Sequence, residues 1–212
     1  EGGGRVALNL AGSQALAAQI LSGAPADAFA SAHAAQMERV HSRGLLADSA
    51  VVFAENRLAV AVAPGNPLGI GGLSDLARDD LAVVRAAPEV PVGRCSRRAL
   101  VGAGVRVDPV SLETDVKQVL AKVALGEADA GIVYRTDVRA AGDAVTGIVL
   151  DPAHDPRAVY RIGILESAPN PTGARRFVEF LRSPAGRDIL RSHGFELPGD
   201  AVPTPAGGLE TE

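Results

Sequence analysis

The side chains from which this sequence could build a reactive centre are four histidines, one cysteine and a scatter of serines and carboxylates, and their spacing argues against one. His33, His41, His154 and His193 stand far apart, and none belongs to a His-Glu-x-x-His helix or another paired metal-ligand pattern. Each reads as an ordinary surface or loop histidine. Ser13 sits in Ala-Gly-Ser-Gln-Ala, which lacks the second glycine of a nucleophile elbow. Cys95 is the only cysteine, which excludes an internal disulfide and a thiolate zinc cluster, and it reads as a buried, unreactive thiol. Glycine clusters at 2–4, 69–72 and 102–104 match neither phosphate-binding fingerprint and read as turns, and Arg97-Arg98 reads as a solvated helix face. With no cluster of acid, base and nucleophile, the expectation is a protein that is not an enzyme, with no catalytic residue, no cofactor and no cation site. An enzyme on this chain would have to rely on Cys95.

Backbone donors are the better candidates for chemistry. The turn Leu10-Ala11-Gly12-Ser13-Gln14 joins a strand end to a helix start, with glycine permitting close approach and serine adding a hydroxyl. Val90-Pro91-Val92-Gly93 is a second exposed-backbone corner, and Glu113-Thr114-Asp115-Val116 opens another helix with Thr114 or Asp115 as cap. N–H groups in the first turn of a helix have no intrahelical acceptor and carry partial positive charge. They can hold a small anion with no Lys or Arg nearby. Each corner alone is a routine helix start; what stands out is the set.

Such corners need alternating strands and helices to position them, and hydrophobic period supplies both. Strands are expected over 6–10, 27–31, 57–63, 81–85, 105–110, 130–134, 145–150 and 159–165. Helices are expected over 14–21, 34–42, 74–77, 94–103, 115–125, 171–182 and 184–192, several closed by glycine. Strand following helix in this order predicts an α/β fold with largely parallel sheets. Beyond residue 197 the sequence loses its period, is rich in Pro and Gly, and reads as a disordered tail over 198–212.

The totals fit this picture and remove other function classes. The 212 residues, 47% hydrophobic and 22% charged, suffice for one large or two modest domains. With no Trp, two Tyr and five Phe, the core must come from Ala, Val, Leu and Ile, and no platform of rings exists for stacking bases or sugars. A net charge of −4 with interspersed signs leaves no basic stripe, so no nucleic-acid partner is expected. No apolar run reaches the roughly 20 residues of a membrane span. The chain opens with Glu-Gly-Gly-Gly rather than with a signal sequence.

One family matches these features. Gly23-Ala24-Pro25-Ala26-Asp27, within the stretch 16–32 and preceded by Gly12-Ser13, resembles the signature of the molybdate-binding proteins of ABC transporters. The stretches 56–64, 88–93, 114–116, 126–134 (ending Gly131-Ile132-Val133-Tyr134) and Gly194-Phe195 follow in the family's order, so the resemblance covers nearly the whole chain to about residue 197. It implies a two-lobed, type II periplasmic-binding-protein-like α/β fold. Each lobe would be a mostly parallel sheet flanked by helices, with the ligand cleft between them. Lobe I would take residues 1–60, lobe II 61–164, and 165–197 would return to lobe I.

The resemblance further implies a ligand, molybdate or tungstate, held by the Ser13 hydroxyl and N–H, the Val92 and Val116 N–H groups and the Tyr134 phenol. All are neutral donors, which suits a fully ionised dianion, because a protonated phosphate would need an acceptor. Molybdate and tungstate are nearly the same size, whereas sulfate is smaller and would leave some donors too distant. The implied partner is an ABC transporter permease, the implied location periplasmic or that of a cell-surface lipoprotein, and the implied state a monomer. An oxyanion-sensing domain of a transcriptional regulator with the same fold is the alternative, although nothing basic or helix-turn-helix-like lies in the chain. Against the family pattern, 1–5 leads straight into the second strand, so the first strand, its helix and one ligand serine are expected to be missing. An exposed sheet edge and weaker anion binding would follow. His33 stands where the family has Asp.

Overall fold

The computed structural model describes residues 5–199. In chain order its main elements are α1 (Ser13–Leu21), β1 (Ala28–Ser31), α2 (Ala34–His41), β2 (Val51–Asn56), β3 (Leu58–Val62), β4 (Val83–Ala86), α3 (Pro91–Gly102), β5 (Ser111–Glu113), α4 (Val116–Ala124), β6 (Ala130–Tyr134), α5 (Arg135–Ala141), β7 (Thr146–Val149), β8 (Ala158–Ile164), α6 (Pro171–Arg182) and α7 (Pro184–Ser192). The strands form two sheets. One has three strands in the order β1-β8-β2, the other five in the order β5-β4-β6-β3-β7.

Each sheet has its own core. Ala17, Phe29, Met37, Val40, Leu46 and Leu165 gather between the smaller sheet and α1 and α2. A larger cluster that includes Leu58, Val60, Val84, Leu100, Val119, Val123 and Ile132 fills the space between the five-stranded sheet and its helices. β3 and β6 sit inside that sheet with every residue buried, which explains why Leu-Ala-Val-Ala-Val and Ala-Gly-Ile-Val-Tyr are unbroken apolar runs rather than alternating ones. The helices start where local chemistry says they should. Asn170 and Ser183 cap α6 and α7 through Gly173 N–H (2.9 Å) and Gly186 N–H (3.2 Å), each with proline in the first turn. At the end of α4, Gly126 takes φ +71°, where a side chain would be strained.

The sheets are mixed. β4 runs parallel to β5 and β6, as expected, but β3 is antiparallel to β6 and β7, and β8 is antiparallel to β1 and β2. Strands that carry the chain from one sheet to the other must run against their neighbours. Sheet membership also moves the expected boundaries. The chain leaves the smaller sheet at Asn56 and enters the larger at Leu58, rather than after residue 60. β8, expected in the second lobe, belongs to the three-stranded sheet, so the return crossing lies between Val149 and Ala158.

Four local expectations change. Residues 6–10 form no strand, and Val6, Leu8 and Leu10 are 55%, 70% and 84% exposed. Alternation gives a segment the habit of a strand but not a partner, and β1 pairs only with β8 among the described residues. Residues 105–110 are likewise irregular, and pairing begins at Ser111, opposite Val84. β2 and α5 were not anticipated: β2 lacks clean alternation, and α5 is seven residues long with none buried. Of the expected tail, residues 200–212 lie outside the described residues. No helix of the described residues is long and apolar enough to cross a membrane.

Candidate functional site

The three parallel strands of the larger sheet end at the same edge, and each is followed by a helix. β4 leads into α3, β5 into α4 and β6 into α5, so Val92, Val116 and Tyr134 all stand at the carboxyl ends of parallel strands. That edge is where open α/β sheets bind ligands, because helix N-termini converge there.

Val92 is the second residue of α3 and is buried, and Pro91 before it has no N–H to offer. The N-cap residue Val90 makes no side-chain cap. α3 can begin so close to the sheet only because residue 93 is glycine: a Cβ there would lie 2.0 Å from the Ala87 carbonyl oxygen and 2.7 Å from that of Ala86. Val116 opens α4 behind Asp115, whose carboxylate accepts the Gln118 N–H at 3.0 Å. That bond satisfies the third helical N–H and leaves those of Val116 and Lys117 without an intrahelical acceptor. Tyr134 ends β6, paired with Leu58, its N–H donating to the Asp137 carboxylate at 3.0 Å. Its hydroxyl points toward the first turn of α3, 4.0 Å from Cys95 Sγ. Burial pushes the Tyr134 phenol far above its ordinary range, so it stays a neutral donor at every working pH. Burial also pushes the Cys95 thiol up, consistent with an unreactive group.

Ser13 comes from the other unit. It is the first residue of α1 and is buried, behind Gly12, which supplies no side-chain cap. The larger sheet thus contributes Val92, Val116 and Tyr134, and the helix layer of the smaller sheet contributes Ser13. His33 precedes α2 and Arg94 lies in the first turn of α3, and His33 is held below its ordinary pKa by burial first and by Arg94 second.

His33 is not the plain surface residue expected. Its Nδ1 accepts the Ala35 N–H at 3.1 Å and so caps α2, and its own N–H donates to the hydroxyl of buried Ser31 at 3.0 Å. A cap through Nδ1 requires that nitrogen to be unprotonated. Because the folded pKa lies below the ordinary 6.5, the unfolded chain binds more protons as pH falls. This stabilisation is therefore complete above about pH 6.5 and lost as pH falls through the depressed folded value. In thermal melts between pH 5 and pH 8, His33→Asn, which caps without titrating, should lose less stability on acidification than the native protein. Parallel curves for the two would refute this role.

Sequence reasoning missed an ion-paired cluster where the chain crosses between sheets. Arg57 stands between β2 and β3 and is 5% exposed; Asp155 precedes β8 and its side chain is fully buried. Arg57 Nε donates to Glu196 at 3.0 Å and Nη1 to the Asp155 carbonyl at 3.0 Å. The Asp155 carboxylate accepts the Leu58 N–H at 2.9 Å and Arg135 Nη2 at 3.1 Å. Burial pushes the Asp155 carboxyl up, while the Leu58 N–H, Arg135 and Arg57 pull it down. The one local signal was Glu55-Asn56-Arg57, three polar residues inside an apolar run.

Two surface grooves, of about 510 and 450 Å³, lie elsewhere. The first is lined by α2 and Arg161, the second by β2 and the α6–α7 junction, and neither includes the four candidate residues. Among the described residues, no group of three or more His, Cys, Asp or Glu could hold a metal ion.

Two α/β units, each a sheet flanked by helices, are joined by crossing strands into a two-lobed architecture. The comparisons agree. The model of the family described as bacterial extracellular solute-binding protein matches residues 1–196, and the chain belongs to that family. The molybdate-binding protein ModA of Mycobacterium tuberculosis is 43% identical over 188 residues, covering 89% of this chain and 72% of the relative. Among solved structures, the Azotobacter vinelandii periplasmic molybdate-binding protein superposes with TM-score 0.73 at 23% identity, over 88% of this chain and 85% of that one. The sulfate-binding protein SubI of Mycobacterium tuberculosis gives the same TM-score of 0.73 at 14% identity, over 89% and 74%. These likenesses establish the type II periplasmic-binding-protein fold. Equal scores for a molybdate binder and a sulfate binder leave the choice of anion to the site.

Proposed function

We propose that this chain captures molybdate, and tungstate equally well, and delivers it to the permease of an ABC transporter. One observation carries the reading. Val92, Val116 and Tyr134 stand at one edge of the larger sheet, Ser13 opens a helix of the other unit, and every donor they offer is uncharged. A dianion with no proton to donate fits such a site, because each oxygen only accepts. The 43% identity to a protein named for molybdate supports the anion's identity. In this reading the lobes close on the anion as a monomer outside the cytoplasm, with no cofactor and no catalytic step. The transport proteins among the relatives lend no support to the alternative of a regulator's sensing domain.

Calorimetric titration with molybdate, tungstate and sulfate tests it. Molybdate and tungstate should bind with similar affinity and sulfate much more weakly, because its shorter bonds leave donors out of range. Tyr134→Phe should weaken molybdate about tenfold to a hundredfold, the worth of one hydrogen bond to a charged group at about 1.5–3 kcal/mol. The unfolding midpoint should move little, since the hydroxyl's contact with Cys95 Sγ is long, at 4.0 Å. Equal affinity for sulfate, or full molybdate affinity in Tyr134→Phe, would sink the assignment.

A further inference from the structure

The cluster at the crossing touches both units and the residue that follows Tyr134. Arg135 belongs to the larger unit: it opens α5, and its N–H donates to the Arg57 carbonyl at 2.9 Å. Glu196 belongs to the smaller unit, because its backbone exchanges two hydrogen bonds with Glu55 on β2, at 2.7 and 2.9 Å. The ion pair between Arg135 Nη1 and Glu196 Oε1, 3.5 Å, therefore spans the two units. It runs beside Asn56 on β2, whose amide donates to Thr136 on α5 at 2.8 Å. The Arg157–Glu55 pair, 2.7 Å, is the nearest further charge pair along the same strands.

The members of the cluster differ in freedom. Asp155 is fully buried and Arg57 nearly so, and both are fixed by bonds to backbone. Arg135 and Glu196 are 28% and 24% exposed, and their contact is among the longer ones in the cluster. A rotation of one unit about the crossing would open this pair without burying an unpaired charge.

We propose that Arg135 and Glu196 are positioning residues for the candidate oxyanion cleft. Their pair holds the two units at one hinge angle, and Arg135 is the residue next to Tyr134 in the chain. The proposal rests on the oxyanion reading for its binding arm alone. Its geometric arm concerns the angle between the units and stands without a ligand.

Glu196→Gln keeps the size of the side chain and removes its charge. The full protein and this variant are compared by titration with molybdate and sulfate and by small-angle scattering with and without molybdate. The expected result is a molybdate affinity weakened roughly two- to fivefold, the scale of a partly exposed ion pair. The molybdate-to-sulfate ratio should stay unchanged, because no donor is lost, and the ligand-free variant should show a larger radius of gyration. Arg135→Lys, which keeps a positive charge within reach of both Glu196 and Asp155, should stay near native in both. Native affinity in Glu196→Gln, or weakened affinity with unchanged scattering, overturns the proposal. If the native protein binds neither anion, the functional reading fails on its own. Scattering then still decides: a larger radius for the variant supports the hinge role, and an identical one overturns it.

Discussion

Replacing Asp155 with Ala is expected to lower the free energy of unfolding by about 3–5 kcal/mol, the cost of leaving a buried partner charge uncompensated. The carboxylate is fully buried and holds Leu58 N–H at 2.9 Å and Arg135 at 3.1 Å, with Arg57 at 3.9 Å. Without it, Arg57, 5% exposed, keeps only Glu196 as a charged partner, and the Leu58 N–H at the start of β3 loses its acceptor. Both losses fall where the chain passes from one sheet to the other, so the damage should reach both units. Urea denaturation measures it. A loss below about 1 kcal/mol, the worth of a surface ion pair, would mean that water replaces the carboxylate at little cost and that the cluster is not a closed structural unit.

Gly93→Ala should be nearly as damaging and more specific. The new Cβ would meet two backbone carbonyl oxygens, at 2.0 and 2.7 Å, and backbone cannot swing aside as a side-chain tip can. Overpacking of this kind costs about 1–3 kcal/mol, and these distances place it at the upper end. The first turn of α3 must retreat from β4 and take the Val92 N–H with it. One lost bond to a dianion is worth about 1.5–3 kcal/mol, so molybdate affinity should fall at least about tenfold. Gly102→Ala in the same helix is the control. Its Cβ would meet only His154 Nδ1, at 3.8 Å, and alanine favours helix, so stability and binding should hold or improve slightly. Equal behaviour of the two variants would remove the close approach from the account of the site.

Much of the framework was legible because the signals are local. α6 and α7 begin at a polar cap followed by proline, α4 begins at Asp115 and stops before Gly126, and β6 is five apolar residues between charged neighbours. What failed depended on distant partners. Residues 6–10 alternate like a strand yet pair with no strand among the described residues, and β2, with a bulge between Val52 and Ala54, hides its alternation. The direction of β3 and β8 was misjudged because a strand's own composition carries little record of which way its neighbour runs. His33 shows the same limit in a side chain. Its capping bond spans two residues, but the charge that lowers its pKa after burial, Arg94, belongs to the other unit.

By itself the sequence determined the kind of donor this protein can offer. Glycine, proline and short polar caps mark the strand-to-helix corners at 10–14, 90–93 and 113–116, because such rules act within one turn of helix or one strand, and the family resemblance picks out Ser13, Val92, Val116 and Tyr134. Only the tertiary structure decided how the elements that carry these residues are arranged. The parallel order β5-β4-β6 sets three of them on one edge, and an ion cluster joining residues 20 to 139 positions apart ties the crossing between the two sheets. Pairing at such separations follows from how whole layers bury their apolar faces, and no segment of the chain encodes it alone.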